Sequence, residues 1–275
     1  MEPSPGWSRS RRWLLEACGR RFVLDHPGEG TGAPPTADLH LQRWRVLRLW
    51  RNDLLADRAE GHVWSPRLMR HVLELRLAQL PKAQESDGPA RRRLVRLHVK
   101  RMCGLLEHPW FSFAVPVGAS VVLPDARHDV PFENGRLWAV PDLLRDSTQT
   151  AVLFRSGRTP KAVLDLEAAL CATWMEVTRG RVSAPTFSVM RFTPHGWIRH
   201  VVVVDDHLRK AAAELVRMDR AQMRLLHKRW MVGGHRSLPL AEHAWACEGC
   251  AHRIGCPRHI ETQPSAPFIL GERRQ

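Results

Sequence analysis

Apolar residues recur at helical spacing along the early part of the chain. Leu39, Trp44, Leu47, Trp50, Leu54 and Leu55 predict a helix over Asp38 to Asp57, and Leu68, His71, Val72, Leu75 and Leu77 predict another from Ser65 to about Leu80. Ser65-Pro66 supplies an N-cap with Pro in the first turn. Trp7 to Phe22 reads as an opening helix that ends near Gly19, and the Gly/Pro-rich stretch from Pro27 to Pro35 reads as a loop. A polar linker spans Lys82 to Pro89, and a basic helix follows from Ala90 to about Glu107.

After Pro109 the pattern turns β-like. Ala119 to Leu123, Arg136 to Leu143 and Thr150 to Phe154 predict strands. A helix over Pro160 to Thr178 points Val163, Leu166, Ala169, Leu170 and Trp174 at a core. Strands at Thr186 to Phe192 and Trp197 to Val204 flank a Pro194-His195-Gly196 turn. Asp205 or Asp206 caps a long helix to about Trp230, and Met231 to Gln275 form a cysteine-bearing segment with a tail. The order predicts a mixed α/β fold. Its parts are an N-terminal piece (1–35), a helical lobe inserted early (36–108), a core (109–230) and a C-terminal segment (231–275), integrated as one domain.

Charge narrows the function class. The 42 Lys and Arg exceed the 28 Asp and Glu, giving a net charge of +14 and a pI near 10.9. Such an excess favours polyanions, nucleic acid first, although GC-rich coding also inflates Arg. Arg91, Arg92, Arg93, Arg96, Lys100 and Arg101 concentrate it on the basic helix, where they form either phosphate contacts or a solvated face. No apolar run reaches the roughly 18–20 residues of a membrane span, and Met1 to Arg12 lack a signal-peptide core, so a cytoplasmic protein without a membrane partner is expected. No phosphate-binding Gly-rich loop and no nucleophile elbow occurs. Trp110, Trp138 and Trp174 fit a core better than a base-stacking platform.

Cys247-x2-Cys250-x5-Cys256 places three thiols close together, immediately before Pro257, a pattern suited to a soft metal or an iron–sulfur cluster. Cys18 is the candidate fourth ligand. Four-cysteine zinc is the competing reading, with His252 and His259 nearby. Cys103 and Cys171 fall inside helices as core residues.

An early Cys with a C-terminal C-x2-C-x5-C triad around a strand–strand–helix core resembles the iron–sulfur subclass of RecB-like PD-(D/E)XK nucleases. That subclass includes AddB-type recombination nucleases and CRISPR-adaptation nucleases. The resemblance implies a restriction-endonuclease-like mixed sheet flanked by helices, closed by a [4Fe-4S] cluster on Cys18, Cys247, Cys250 and Cys256. It also implies a Mg2+ or Mn2+ centre. His71, followed by Glu74, matches the family's helical His, and Asp142 of Val140-Pro141-Asp142 matches its first carboxylate.

The remaining motifs depart from the pattern. Leu153 falls where the second carboxylate belongs and Arg155 where the Lys belongs, and the Gln and Tyr of the next helix correspond to Asp165 and Ala169. Leu offers no oxygen ligand, which leaves Asp142 and His71 to hold a metal. Arg can hold a phosphate but cannot exchange protons as Lys can. Glu167 or Asp165 could supply a migrated carboxylate, and Lys161 the missing amine.

The expected function is therefore a catalytically impaired nuclease-fold subunit. It would bind single-stranded DNA or DNA ends in a repair or antiviral defence assembly, beside a helicase or second nuclease. The alternatives are an active metal-dependent exonuclease and a protein-interaction scaffold without DNA binding.

Overall fold

The computed structural model describes residues 5–26, 39–80, 88–145, 150–156, 159–180, 185–247, 250, 252–253 and 256–258. The chain divides into two units, Met1–Arg9 with Leu39–Ala221, and Ser10–Asp38 with Gln222–Gln275. The expected loop at Pro27 to Pro35 and most of the linker at Lys82 to Pro89 lie outside the described residues.

In the first unit, four helices build one layer: α3 (Leu39–Ala59), α4 (Pro66–Ala78), α5 (Gly88–Leu106) and α6 (Pro109–Ala114). Ser65 caps α4, its hydroxyl accepting from the Leu68 N–H at 3.2 Å, with Pro66 at the first turn as the sequence predicts. The buried stripe of α4 is Met69, Leu73 and Leu77, whereas Leu68 and Leu75 are exposed. Two apolar ladders compete on this helix, and tertiary packing selects the Met69 one.

The same packing joins Trp50, Leu54 and Leu55 of α3 to Val95, Val99, Met102 and Leu105 of α5 in one core. The Trp50 indole N–H donates to the Met69 carbonyl at 3.0 Å, so its polar atom is satisfied in that core. At Pro109 the sequence turns helical rather than β, because Pro at the first position preorganises α6.

A four-stranded sheet has the order β4 (Leu143–Arg145), β5 (Thr150–Ser156), β6 (Thr186–Thr193), β7 (Gly196–Val203). Outer pairs are antiparallel, while β5 and β6 run parallel, joined through α7 (Lys161–Arg179). Alternation sends Val152 and Phe154 of β5 into the helical core, with Leu143 and Met190, while Leu153 and Arg155 take the other face. The helical region and the sheet thus share one core. Trp197 of β7 donates to the Arg101 carbonyl of α5 at 2.6 Å.

The expected strand over Arg136 to Leu143 is split. β3 (Gly135–Trp138) belongs to a second sheet, and β4 opens only at Leu143, with Pro141, which has no N–H to offer a ladder, between them. Of the expected strand over Ala119 to Leu123, a single bridge from Val122 to Leu144 forms. The second sheet has the order β1 (Trp7–Ser8), β3, β2 (Val130–Phe132). Its β2–β3 turn places Glu133 at φ 48° and Asn134 at φ 59°, the left-handed pair that a tight hairpin requires.

α8 (Asp206–Gly233) is capped by Asp205, whose carboxylate accepts from the Leu208 N–H at 2.7 Å. Buried Arg220 of α8 holds the hairpin, donating to the carbonyls of Phe132 and Glu133 at 2.8 Å each and of Arg136 at 2.9 Å. Asp219 accepts from the Trp7 indole at 2.6 Å.

In the second unit the opening helix breaks in two, α1 (Arg9–Ala17) and α2 (Gly19–Asp25), with Cys18 between them. The Cys18 sulfur accepts from the Arg21 N–H at 3.4 Å and so acts as the N-cap of α2. Gly19 is required there, because a Cβ would sit 2.9 Å from the Pro239 ring. No helix among the described residues is long and apolar enough to cross a membrane.

Candidate functional site

The start of β4, the end of β5 and the middle of α7 bring a charged cluster together in the first unit. Asp142 immediately precedes β4 rather than ending a strand, and its N–H donates to the Val152 carbonyl at 3.0 Å. One of its oxygens, Oδ2, accepts from the Phe154 N–H at 3.0 Å and from Arg155 Nη1 at 2.7 Å. The other, Oδ1, accepts from Arg51 Nη2 of α3 at 2.7 Å.

Arg155 also forks onto Glu167 of α7, with Nε donating to Oε2 at 2.8 Å and Nη2 to Oε1. One guanidinium therefore bridges two buried carboxylates. Leu153, two residues earlier on the same face, is fully buried. Arg191, in register opposite Arg155, turns to the Thr159 carbonyl at 3.2 Å.

Burial on its own would raise the Asp142 pKa. The guanidiniums of Arg51, Arg155 and Arg48 and the Phe154 N–H outweigh it, so the carboxyl is held far below its usual range. Burial lowers the Arg155 pKa, but Glu167 and Asp142 more than reverse this. Cys171 of α7 is buried, and desolvation followed by the Glu167 charge pushes its thiol upward.

Two more guanidiniums complete the cluster. Arg9 lies 3.3 Å from Glu167 with its side chain 46% exposed. Arg48 sits over the Trp44 ring, 5.6 Å from its centroid. Trp44 is itself exposed, not part of the core stripe expected of its helix.

Arg9, Arg48 and Arg51 escape sequence reasoning. On a helix, an Arg whose tip reaches a neighbouring element looks like any solvated Arg. Their spacing does hold one signal, since Arg48 and Arg51 are three apart and so share a face.

The other predicted residues lie elsewhere. His71 is exposed on α4 and makes no bond to Asp142. Lys161 pairs with Asp165 at 2.9 Å and is largely exposed, so it does not replace the missing amine. Asp165 also holds His200 at 2.9 Å and is no part of the cluster. Of the proposed rescues, only Glu167 reaches Asp142's neighbourhood, through Arg155.

On α5, Arg92, Arg93, Arg96 and Lys100 are exposed, while Arg91 is half-buried and Val95 and Val99 are buried. Arg101 is half-buried and stacks on Phe192 with its carbon 4.5 Å from the ring centroid, a packing role. Trp174 is buried and donates to the His128 carbonyl at 3.0 Å, as a core residue does.

In the second unit, Cys18 and Cys247 pack against the same cluster of Ala17, Ala241 and Ala246. Burial first, then the Cys18 and Cys256 thiols, raises the Cys247 pKa. Cys250 is raised by burial and lies within reach of Arg21, Asp25 and Cys18. The Cys250 N–H donates to the Cys247 carbonyl at 3.2 Å, holding these two cysteines close along the backbone. Asp25 accepts from Arg21 at 3.4 Å and contacts the His252 ring at 2.8 Å, while the His252 backbone N–H bonds the Cys250 thiol. Among the described residues, no three His, Cys, Asp or Glu side chains converge on one point as a single-ion site would require.

No protein-family model matches the chain, and no curated protein does. One solved structure, the crystal structure of SSO0001, is similar over 76% of this chain and 96% of its own, at 13% identity and a TM-score of 0.29. A likeness so distant carries no argument about what this chain does.

Proposed function

We propose that this chain is a RecB-like PD-(D/E)XK fold retained for DNA binding after its nuclease centre was closed by an internal cation. What carries this reading is the Arg155 guanidinium bridging Asp142 and Glu167. A nuclease of this kind needs two carboxylates free to hold a divalent ion that polarises the scissile phosphate and activates water. Here both face a guanidinium in a charge-assisted fork, the neighbouring position is Leu153, and Arg51 covers the remaining Asp142 oxygen. A metal entering this site would meet positive charge already in place.

The sheet supports the fold assignment. Two antiparallel strands, a helical crossover and a parallel strand, with Arg155 on β5, fit the strand–strand–helix core that the resemblance implies, although Asp142 precedes β4 instead of ending a strand. The exposed Arg92, Arg93, Arg96 and Lys100 supply the sequence-independent grip on phosphates.

The cysteine neighbourhood supports a structural [4Fe-4S] cluster. Its donor set is thiol, drawn from both ends of one unit, and the ring of nearby His252 contacts Asp25. Cys18, Cys247, Cys250 and Cys256 would hold the cluster, which would tie α2 to the C-terminal segment. We place such a protein in a repair or defence assembly whose helicase or second nuclease does the cutting.

The test is a nuclease and binding assay on single-stranded and duplex DNA with Mg2+ and Mn2+, using anaerobically purified protein and its Asp142→Ala variant. Salt-sensitive binding without cleavage is the expected result. Cleavage abolished by the substitution would overturn the closed-centre reading in favour of an exonuclease using Glu167. Absence of DNA affinity at physiological salt would leave a protein-interaction scaffold.

A further inference from the structure

The closed centre is not electrically balanced. Arg9, Arg48, Arg51 and Arg155 contribute four positive charges against two from Asp142 and Glu167, an excess of two. Asp125, whose charge also reaches Arg48, is exposed and already bound to Arg127. Arg155 is committed to both carboxylates, and Arg51 and Arg9 each engage one. Arg48 makes no hydrogen bond to any described residue and is held by stacking on Trp44. Partly buried guanidiniums that crowd together without enough anions repel one another. Consistent with this, Arg48 is pulled below its ordinary pKa by burial and by Arg51 and Arg155, and Arg9 by burial and by Arg155.

A bound anion of charge two would remove the imbalance. Internal phosphodiesters of DNA carry one charge. A terminal phosphate monoester approaches two at neutral pH, because its second pKa is about 6. Arg presents a planar fork that matches phosphate oxygens, and several Arg side chains from different elements can surround such a group.

We propose that the cluster is a receptor for a phosphate monoester at a DNA end, gripped by Arg48, Arg51 and Arg9 above an Arg155 fixed by its two carboxylates. The inference rests on the DNA-binding reading for its ligand, and on the charge count for its site. The former catalytic centre becomes an end-recognition pocket. It reads whether a strand terminates in phosphate, and the basic face of α5 holds the flanking backbone.

The experiment compares one single-stranded oligonucleotide in three forms, 5′-phosphorylated, 3′-phosphorylated and hydroxyl-ended, binding to the full chain at fixed salt. One phosphorylated end is expected to bind about tenfold or more tighter than the hydroxyl form, a margin that charge-assisted bonds to one terminal group can supply. Arg48→Ala, which removes stacking on Trp44 but no hydrogen bond to a described residue, should abolish that margin, so that phosphorylated and hydroxyl-ended forms bind the variant alike. The margin should also shrink below about pH 6 as the monoester protonates. Equal binding of all three forms would sink the receptor while leaving DNA binding in place. If no DNA binds but inorganic phosphate raises the melting temperature of the wild type and not of Arg48→Ala, the receptor stands and DNA is removed as its ligand. If neither binds, both proposals fall.

Discussion

Arg155 reaches Asp142 at 2.7 Å and Glu167 at 2.8 Å, so a side chain of β5 joins the strand before it to the helix after it. Each carboxylate also meets a second guanidinium, Asp142 that of Arg51 and Glu167 that of Arg9, but only Arg155 touches both. Replacing Arg155 with Met should leave each buried carboxylate with one guanidinium in place of two and cost roughly 1–3 kcal/mol. Chemical denaturation measures this. Adding Glu167→Gln to Arg155→Met should recover part of the loss, since Arg9 is 46% exposed and can turn to water, whereas a purely steric role for Arg155 predicts no recovery.

Acid should unfold the protein in two stages. His98 and His26 are both lowered to about 4, His98 by burial and Arg101, His26 by burial and Arg11. An unfolded His protonates near 6.5, so between about pH 6.5 and 4 the unfolded chain binds more protons and stability falls with pH. The Asp142 contribution, whose folded pKa is depressed, is present above the unfolded value near 3.9 and is lost only below it. Stability measured from pH 8 to 3 should therefore decline first in the His window. An Asp142→Asn variant should lack only the steeper fall below about pH 4.

Reversing the two departures on β5 should reopen the metal site. In the double variant Leu153→Glu, Arg155→Lys, Mn2+ should raise the melting temperature by about 4 °C or more, with no shift in the wild type. Leu153→Glu alone buries a charge in a packed face and should destabilise. An unresponsive double variant would count against the positional match of Leu153 and Arg155 to the nuclease motif.

Charge reversal on α5 separates grip from fold. Because Arg92, Arg93, Arg96 and Lys100 are exposed, changing them to Glu singly should move stability by less than about 0.5 kcal/mol. The slope of log affinity against log salt should fall by about 0.9 for each phosphate that is no longer neutralised. An unchanged slope would mean that DNA lies elsewhere.

Anaerobic protein should be brown with broad visible absorbance, and Cys18→Ala or Cys250→Ala should lose both colour and stability. Cys103→Ala should keep the colour. Colourless protein carrying stoichiometric zinc would replace the cluster with the zinc reading.

Much of the fold was legible because its periodicities are strong and its ends are marked. β5, α7, β6, β7 and α8 lie within a residue or a few of the expected spans, and Ser65 and Asp205 cap the helices they were expected to cap. Arg136 to Leu143 was misread because an apolar run conceals a change of sheet, and only Pro141 hints at it. The site was half legible. Motif spacing finds Asp142 and Arg155, and nearness in sequence finds Glu167. Arg48, Arg51 and Arg9 become visible only when their helices are placed against the sheet. His71 fits the motif spacing, yet its helix turns it outward.

The hydrogen bond between Trp7 and Asp219 spans 212 positions, and it sets a clock on biosynthesis. At roughly 5–20 residues per second, a ribosome needs about 10–40 s to travel from one to the other. For the later part of that interval β1 has its partner in β3, but the Trp7 indole has no acceptor on α8. The nascent chain therefore carries an unsatisfied Trp7 indole through that interval, and a chaperone that shields Trp7 until α8 emerges should raise the yield of folded protein.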